Sequence, residues 1–301
     1  MSLATGLSEV AAIVRARAFV RNCQIDAVPV DLNRYLEAAN ADLRANTRLA
    51  PGEAGNTLFV KGRHLITVNA NDTAERRRFT VLHEIAHIHL ELPSVHGDGG
   101  GSSSLYSYAR RPPEEILCDV FAAECLLPQQ FLFQDLKDAV AGFTFIDEMA
   151  QKYEASLSCT ASRVAINAPF PCTYVLSQSG FVRFVTSSAS MRESGFRVSI
   201  GVAVPSASIT GQCLADSRSP SSGVVGAHLW TSADGYVDLD VSEETRLLKT
   251  WGQALTLIWP ESGDTQDLGR REAYRGRDEE EPLLKELDGV LPWPGKSKRR
   301  S

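Results

Sequence analysis

The sequence has no apolar run long enough to cross a bilayer. Its N-terminal stretch, MSLATGLSEVAAIVRARAFVRN, is broken by Glu9, Arg15, Arg17 and Arg21, which excludes the unbroken apolar core of a signal peptide. It also lacks any CxxC pair. Cys23, Cys118, Cys125, Cys159, Cys172 and Cys213 are scattered, which argues against a thiolate metal site or a disulfide framework. They read as small buried hydrophobes in a reducing compartment. There is no excess of basic charge: 31 Lys and Arg face 37 Asp and Glu, and a net charge of -6 offers no field for nonspecific nucleic-acid binding. No internal repeat is present. What remains is a soluble, cytoplasmic chain of 301 residues, long enough for two domains or for one with appendages.

Hydrophobic patterning predicts an α+β fold. Residues 7–21 and DLNRYLEAANA (31–41) read as amphipathic helices, and TLFVKGRHLITVN (57–69) as a hairpin turning at Lys61-Gly62. Asp72 or Thr73 can cap a helix running from about Ala74 towards Pro93. A Gly/Ser-rich loop, 94–113, follows. EEILCDVFAAECLLP (114–128) is again helical, and helix continues through 129–168. From 172 to 262 the apolar runs CTYVLSQ, GFVRFVTSS, FRVSIGVAV, GYVDLDV and ALTLIWP predict a β-rich segment with one helix near Glu243–Thr250. Four units are expected: a domain of helices and a hairpin over 1–130, a helical subdomain over 131–170, a β-rich regulatory or docking domain over 171–262, and a charged, partly disordered tail over 263–301.

The chemistry concentrates in HEIAH (83–87). Two imidazoles four residues apart project from one helix face and form a bidentate clamp for one catalytic zinc ion. Glu84, beside the first ligand but off the line joining the two, is placed to act as general base. The extended motif with a third histidine fails, because Leu90 and Pro93 occupy its places. His89, about 200° around the helix from His87, faces away. The third ligand is therefore sought on helix 114–128. Glu115 and Asp119 share a face there, so Glu115 can bind the metal while Asp119 accepts a ring N–H from a ligand histidine. Glu124 and His96 are the alternatives for the third ligand, whereas Glu114, and on the plain reading Glu124, are solvated helix charges. Tyr106, Tyr108 and His96 in the loop are candidate oxyanion donors.

RRRFTVLHEIAHIHLE followed by EEILCDVFAAECLLP resembles the ImmA/IrrE family of zinc metallo-endopeptidases over about residues 10–130. The resemblance implies a zincin-like domain with a short sheet beside the active-site helix, metal ligands at His83, His87 and Glu115, a base at Glu84 and a supporting polar group at Asp119. It also implies a protein substrate, a helix-turn-helix transcriptional repressor, cleaved in stress response or mobile-element regulation. In some members a GAF-like sensory domain follows, and the β-rich segment is compatible with one.

Two rival readings come from other classes. IDEMAQKYEASLSCTASRVA (146–165) resembles a helix-turn-helix, with Ala150 at the small position of its first helix. Glu154, however, stands where the turn usually has glycine, and Arg163 is the only basic residue of the second helix, so direct DNA binding is not expected. The other rival is a zinc-site regulatory protein without proteolytic activity, such as a toxin–antitoxin component. An intact Glu84 counts against it, since a binding site needs no base.

Overall fold

The computed structural model describes residues 7–49, 52–93, 112–233, 236 and 238–261. The loop carrying His96, Tyr106 and Tyr108, and the charged tail, lie outside the described residues.

Helix α1 (Glu9–Asn22) starts at Ser8, whose hydroxyl accepts from Ala11 N–H, and buries Ala12, Ala16, Phe19 and Val20. Helix α2 (Leu32–Ala38) is capped by Asp31 and ends earlier than its pattern suggested, because Asn40 turns the chain at φ 49°. The expected helical residues beyond it instead start strand β1 (Ala41–Asn46). ADLRAN carries no β-branched residue, so tertiary pairing and not propensity makes it a strand. The hairpin is present as β2 (Gly55–Val60) and β3 (Arg63–Asn69), joined by Lys61 and Gly62, both at positive φ as a two-residue turn of type I′ requires. The sheet order is β1-β3-β2, with β1 parallel and β2 antiparallel to β3, which leaves β2 at an edge.

Helix α3 (Ala74–Leu90) is capped by Thr73 and stopped by Glu91 in the left-handed region. Helix α4 (Pro113–Leu126) opens with proline at its first position, where no N–H is missed. Helices α5 (Gln129–Asp135), α6 (Phe143–Tyr153) and α7 (Leu157–Asn167) follow. Glu154, between α6 and α7, takes φ 50°, the conformation for which glycine is favoured.

The C-terminal segment departs further from expectation. Strands β4 (Thr173–Gln178), β5 (Phe181–Ser187) and β8 (Gln253–Pro260) lie where the apolar runs place them. FRVSIGVAV forms no strand, only an isolated bridge from Ala203 to Phe181. Helices α8 (Ala189–Glu193) and α9 (Ile209–Asp216) and strand β6 (Ser221–Gly226) had no clear sequence signal. The helix expected near Glu243–Thr250 is strand β7 (Asp240–Leu248). Its charged residues mimic a helix surface, yet Val241, Glu243 and Thr245 alternate inward with period two. The five strands form an antiparallel sheet of order β5-β4-β8-β7-β6.

One hydrophobic core runs through both halves. It passes from Phe19, Ile66, Leu82 and Phe121 through Leu132, Phe143 and Val164 to Tyr174, Leu176, Leu255 and Leu257 of the larger sheet. The opposite face of that sheet packs Val175, Val241 and Ile258 against Met191, Phe196 and Trp230. All six cysteines are free, and burial pushes the thiols of Cys159 and Cys172 up to about 12, so they serve as packing groups.

Candidate metal centre

The centre is built where α3 packs on α4. His83 and His87 stand one turn apart on α3, and Glu115 and Asp119 one turn apart on α4. All four are buried, as is Glu84. His83 Nε2 lies 3.2 Å from His87 Nε2 and 3.1 Å from Glu115 Oε2, while His87 Nε2 lies 3.4 Å from Glu115 Oε1. Neighbouring ligands of a tetrahedral ion held at about 2.0–2.1 Å stand roughly 3.3 Å apart. The donor set therefore has the composition and spacing of a three-ligand metal site. Asp119 Oδ1 lies 2.9 Å from His83 Nδ1, which holds the proton on Nδ1 and turns the Nε2 lone pair towards the centre.

Electrostatics supports the same fit. Burial works against a charged His83, but its hydrogen bonds to Asp119 and Glu115, with the nearby charges of Asp119 and Glu84, outweigh that and lift its pKa to about 10. Burial likewise works against a charged Glu115, yet its bonds to His83 and His87 hold the carboxyl well below the usual range. Two imidazoles and a carboxylate converging on one point call for positive charge between them, from a proton or better from a cation.

Glu84 Oε2 accepts a hydrogen bond of 2.6 Å from the hydroxyl of Thr57, on β2. The close approach of β2 to α3 depends on Gly55, where an added Cβ would lie 2.6 Å from Thr80 Cγ2 and 2.7 Å from the Thr67 carbonyl oxygen. Neither Thr57 nor Gly55 was singled out from the sequence. The glycine opening the hairpin's first strand was the one available signal.

The other candidates separate cleanly. His89 sits at the surface with its ring 4.5 Å from that of Phe19 and 5.4 Å from that of Phe121, away from the centre. Glu124 is neither a ligand nor a solvated charge. It is fully buried, paired with Arg163 at 2.9 Å and Arg17 at 3.3 Å, and accepts from Gln129 N–H. Arg163 is thereby buried too, donating also to the Leu127 carbonyl, and presents no charge at the surface of α7. His96, Tyr106 and Tyr108 are among the residues not described.

No curated protein matches the sequence. A solved structure, a Mycobacterium tuberculosis transcriptional regulator, superposes with a TM-score of 0.56 over 84% of this chain and 77% of its own, at 13% identity. At that identity the likeness is one of fold. The model of the family described as IrrE N-terminal-like domain matches residues 38–164. The match begins later and runs further than the 10–130 expected, so α5, α6 and most of α7 fall within it. Residues 38–164, which carry the buried His83–His87–Glu115 cluster, belong to the IrrE N-terminal-like family of metallopeptidase-like domains.

Proposed function

We propose that this chain is a zinc metallo-endopeptidase that cuts a protein substrate inside the cytoplasm. The observation that carries this reading is the buried triangle of His83, His87 and Glu115 with the Glu84 carboxylate beside it. Those three residues would hold the ion, and Asp119 would fix the tautomer of His83. Zinc in such a set supplies Lewis acidity, acidifying a water and polarising a carbonyl. Glu84 takes the proton from the attacking water and returns it to the leaving amine. An intact general base favours cleavage over mere metal-dependent regulation. The substrate binds in extended form along the edge of β2 that has no partner strand among the described residues, the strand whose Thr57 touches Glu84.

The proposed substrate is a helix-turn-helix repressor, cleaved in stress response or mobile-element control. This rests on membership of the IrrE-like family, with the fold likeness to a transcriptional regulator as a weaker pointer to the same process. The C-terminal sheet is proposed to regulate or dock. Its first and last strands pair at its centre, and its helices lie between its second and third strands, which supports a GAF-like sensory reading. The burial of Arg163 speaks against DNA contact through α7.

The test is incubation of the full chain with the repressor encoded beside its gene, with and without chelator. Chelator-sensitive cleavage is expected. Glu84→Gln should keep one equivalent of metal and lose at least a hundredfold in rate, a general base being worth about 10²–10⁴. Repressor that is bound but never cut, by the wild type as by Glu84→Gln, would establish the rival reading of a zinc-site regulator without proteolysis.

A further inference from the structure

Glu84 is 1% exposed and lies 27 positions along the chain from the residue that holds it. Its Oε2 accepts the hydroxyl of Thr57 at 2.6 Å, the short separation of a charge-assisted bond. Thr57 sits on β2, which among the described residues pairs with β3 alone. Alternation along β2 puts Gly55, Thr57 and Phe59 on one face, the face that Gly55 presses against Thr80 of α3. Thr80 is itself fixed, its hydroxyl donating to the Arg76 carbonyl at 3.0 Å. The hydroxyl of Thr57 is thus held from both sides: by the strand it belongs to and by the helix that carries Glu84.

We propose that Thr57 is a positioning residue for Glu84, setting the rotation of its carboxylate, and that it links this rotation to occupation of the β2 edge by substrate. The inference rests on the peptidase reading above. A carboxylate turns easily about its last bond. A donor on one oxygen stops that rotation, and a general base gains rate only when its lone pair meets the water in a fixed direction. The donor belongs to the strand along which an extended substrate adds, so tightening that strand on binding tightens the bond to Glu84. The bond carries geometry and no metal ligand, so its loss leaves metal affinity intact.

The test uses the full chain as Thr57→Val, which keeps shape and removes the donor, with Thr57→Ala as a second variant should valine disturb folding, and Thr57→Ser to restore the hydroxyl. The probes are fluorescently labelled casein and the neighbouring repressor. Valine is expected to lower kcat about 10- to 100-fold with KM, metal content and Tm unchanged, and serine to recover most of it. A merely structural role would lower Tm and leave kcat per folded molecule alone. Independently of activity, the infrared carboxylate bands of Glu84, taken as the metal-free chain minus Glu84→Gln, should shift when the donor is removed. If the zinc-loaded wild type cuts neither probe, the peptidase reading falls while the infrared result still decides whether Thr57 holds Glu84. Wild-type kcat in Thr57→Val, or unshifted bands, overturns the proposal.

Discussion

At the scale of single residues, what the sequence disclosed was what helical geometry makes local. His83 with His87, and Glu115 with Asp119, are each one turn apart, so spacing alone puts each pair on one face. Contacts made across the fold were not legible. Thr57 reaches Glu84 from another strand, and Glu124 looked like a solvated charge because nothing local announces Arg163 and Arg17 around it. Glu124→Ala strands Arg163 in the interior and should cost about 3–5 kcal/mol, read as a lowered urea midpoint with unchanged slope. The metal centre gives a pH prediction. In the metal-free chain His83 titrates near 10 instead of 6.5, so its stabilising contribution is full below about 6.5 and is lost as pH rises through 10. A bound ion must displace that proton. Calorimetry in buffers of different ionisation enthalpy should therefore show about one proton released between pH 7 and 9, with apparent affinity rising about tenfold per pH unit. Binding without proton release in that window would mean that Asp119 and Glu115 do not hold a proton on His83 in the metal-free chain.

Among the elements, those with strong period and clear punctuation were read correctly. The α3 pattern begins at Thr73 and the hairpin turns at Lys61-Gly62, as the residues dictate. Failures fell on elements that owe their form to partners. Strand β1 exists because β3 offers it a parallel edge, and β7 is a strand despite the sequence SEETRLL because it lies between β6 and β8. Glu243, fully buried in β7, accepts from the backbone of Ile209 and Thr210, the Thr210 hydroxyl and Trp230 Nε1, an environment no helix surface provides. The same logic predicts the cost of disturbing β2. Gly55→Ala places a methyl 2.7 Å from a backbone oxygen that cannot swing aside, so about 1–3 kcal/mol of stability should be lost. Because the same methyl meets Thr80 Cγ2 of α3 at 2.6 Å, β2 must also lift off that helix to admit it, so Thr57 should withdraw from Glu84 and turnover should fall more than the stability loss alone explains. A Gly55→Ala protein with wild-type stability would mean that the two elements are not in register as described. On the outer part of the strand, Phe59 is 66% exposed beside the edge. Phe59→Asp should raise KM for cleavage about tenfold while leaving metal content unchanged, and an unaltered KM would remove β2 from the substrate path.

For the molecule as a whole, composition gave a β-rich C-terminal half, but not its relation to the rest. Because the chemistry can be assembled before residue 130, a chain ending near 168 would be expected to fold, bind metal and cut an unstructured peptide. The core argues otherwise. Tyr174, Leu176, Leu255 and Leu257 of the larger sheet are buried in the same cluster as Leu132, Phe143 and Val164. Each such side chain stabilises by roughly 1.5–3 kcal/mol when buried, so four of them amount to about as much as a whole domain's net stability of about 5–15 kcal/mol. Truncation at 168 removes these groups and bares the helical face beneath them, so the shortened chain should aggregate or unfold non-cooperatively, with dye-binding apolar surface. Regulation by the sheet is better tested with the core intact. Across the contact with α6, Glu244 Oε2 accepts from Phe143 N–H at 2.8 Å, and Arg246 pairs with Asp147 while lying over the Phe143 ring. Arg246 is partly exposed, so Arg246→Ala should cost only about 1 kcal/mol and leave a folded, metal-binding protein. If the sheet governs access to the centre, that variant should change cleavage of the natural repressor several-fold and leave casein cleavage alone. Equal effects on both substrates would reduce the sheet to a cover for the core, and a truncated chain with a sharp, reversible unfolding transition would show that the two halves do not share one.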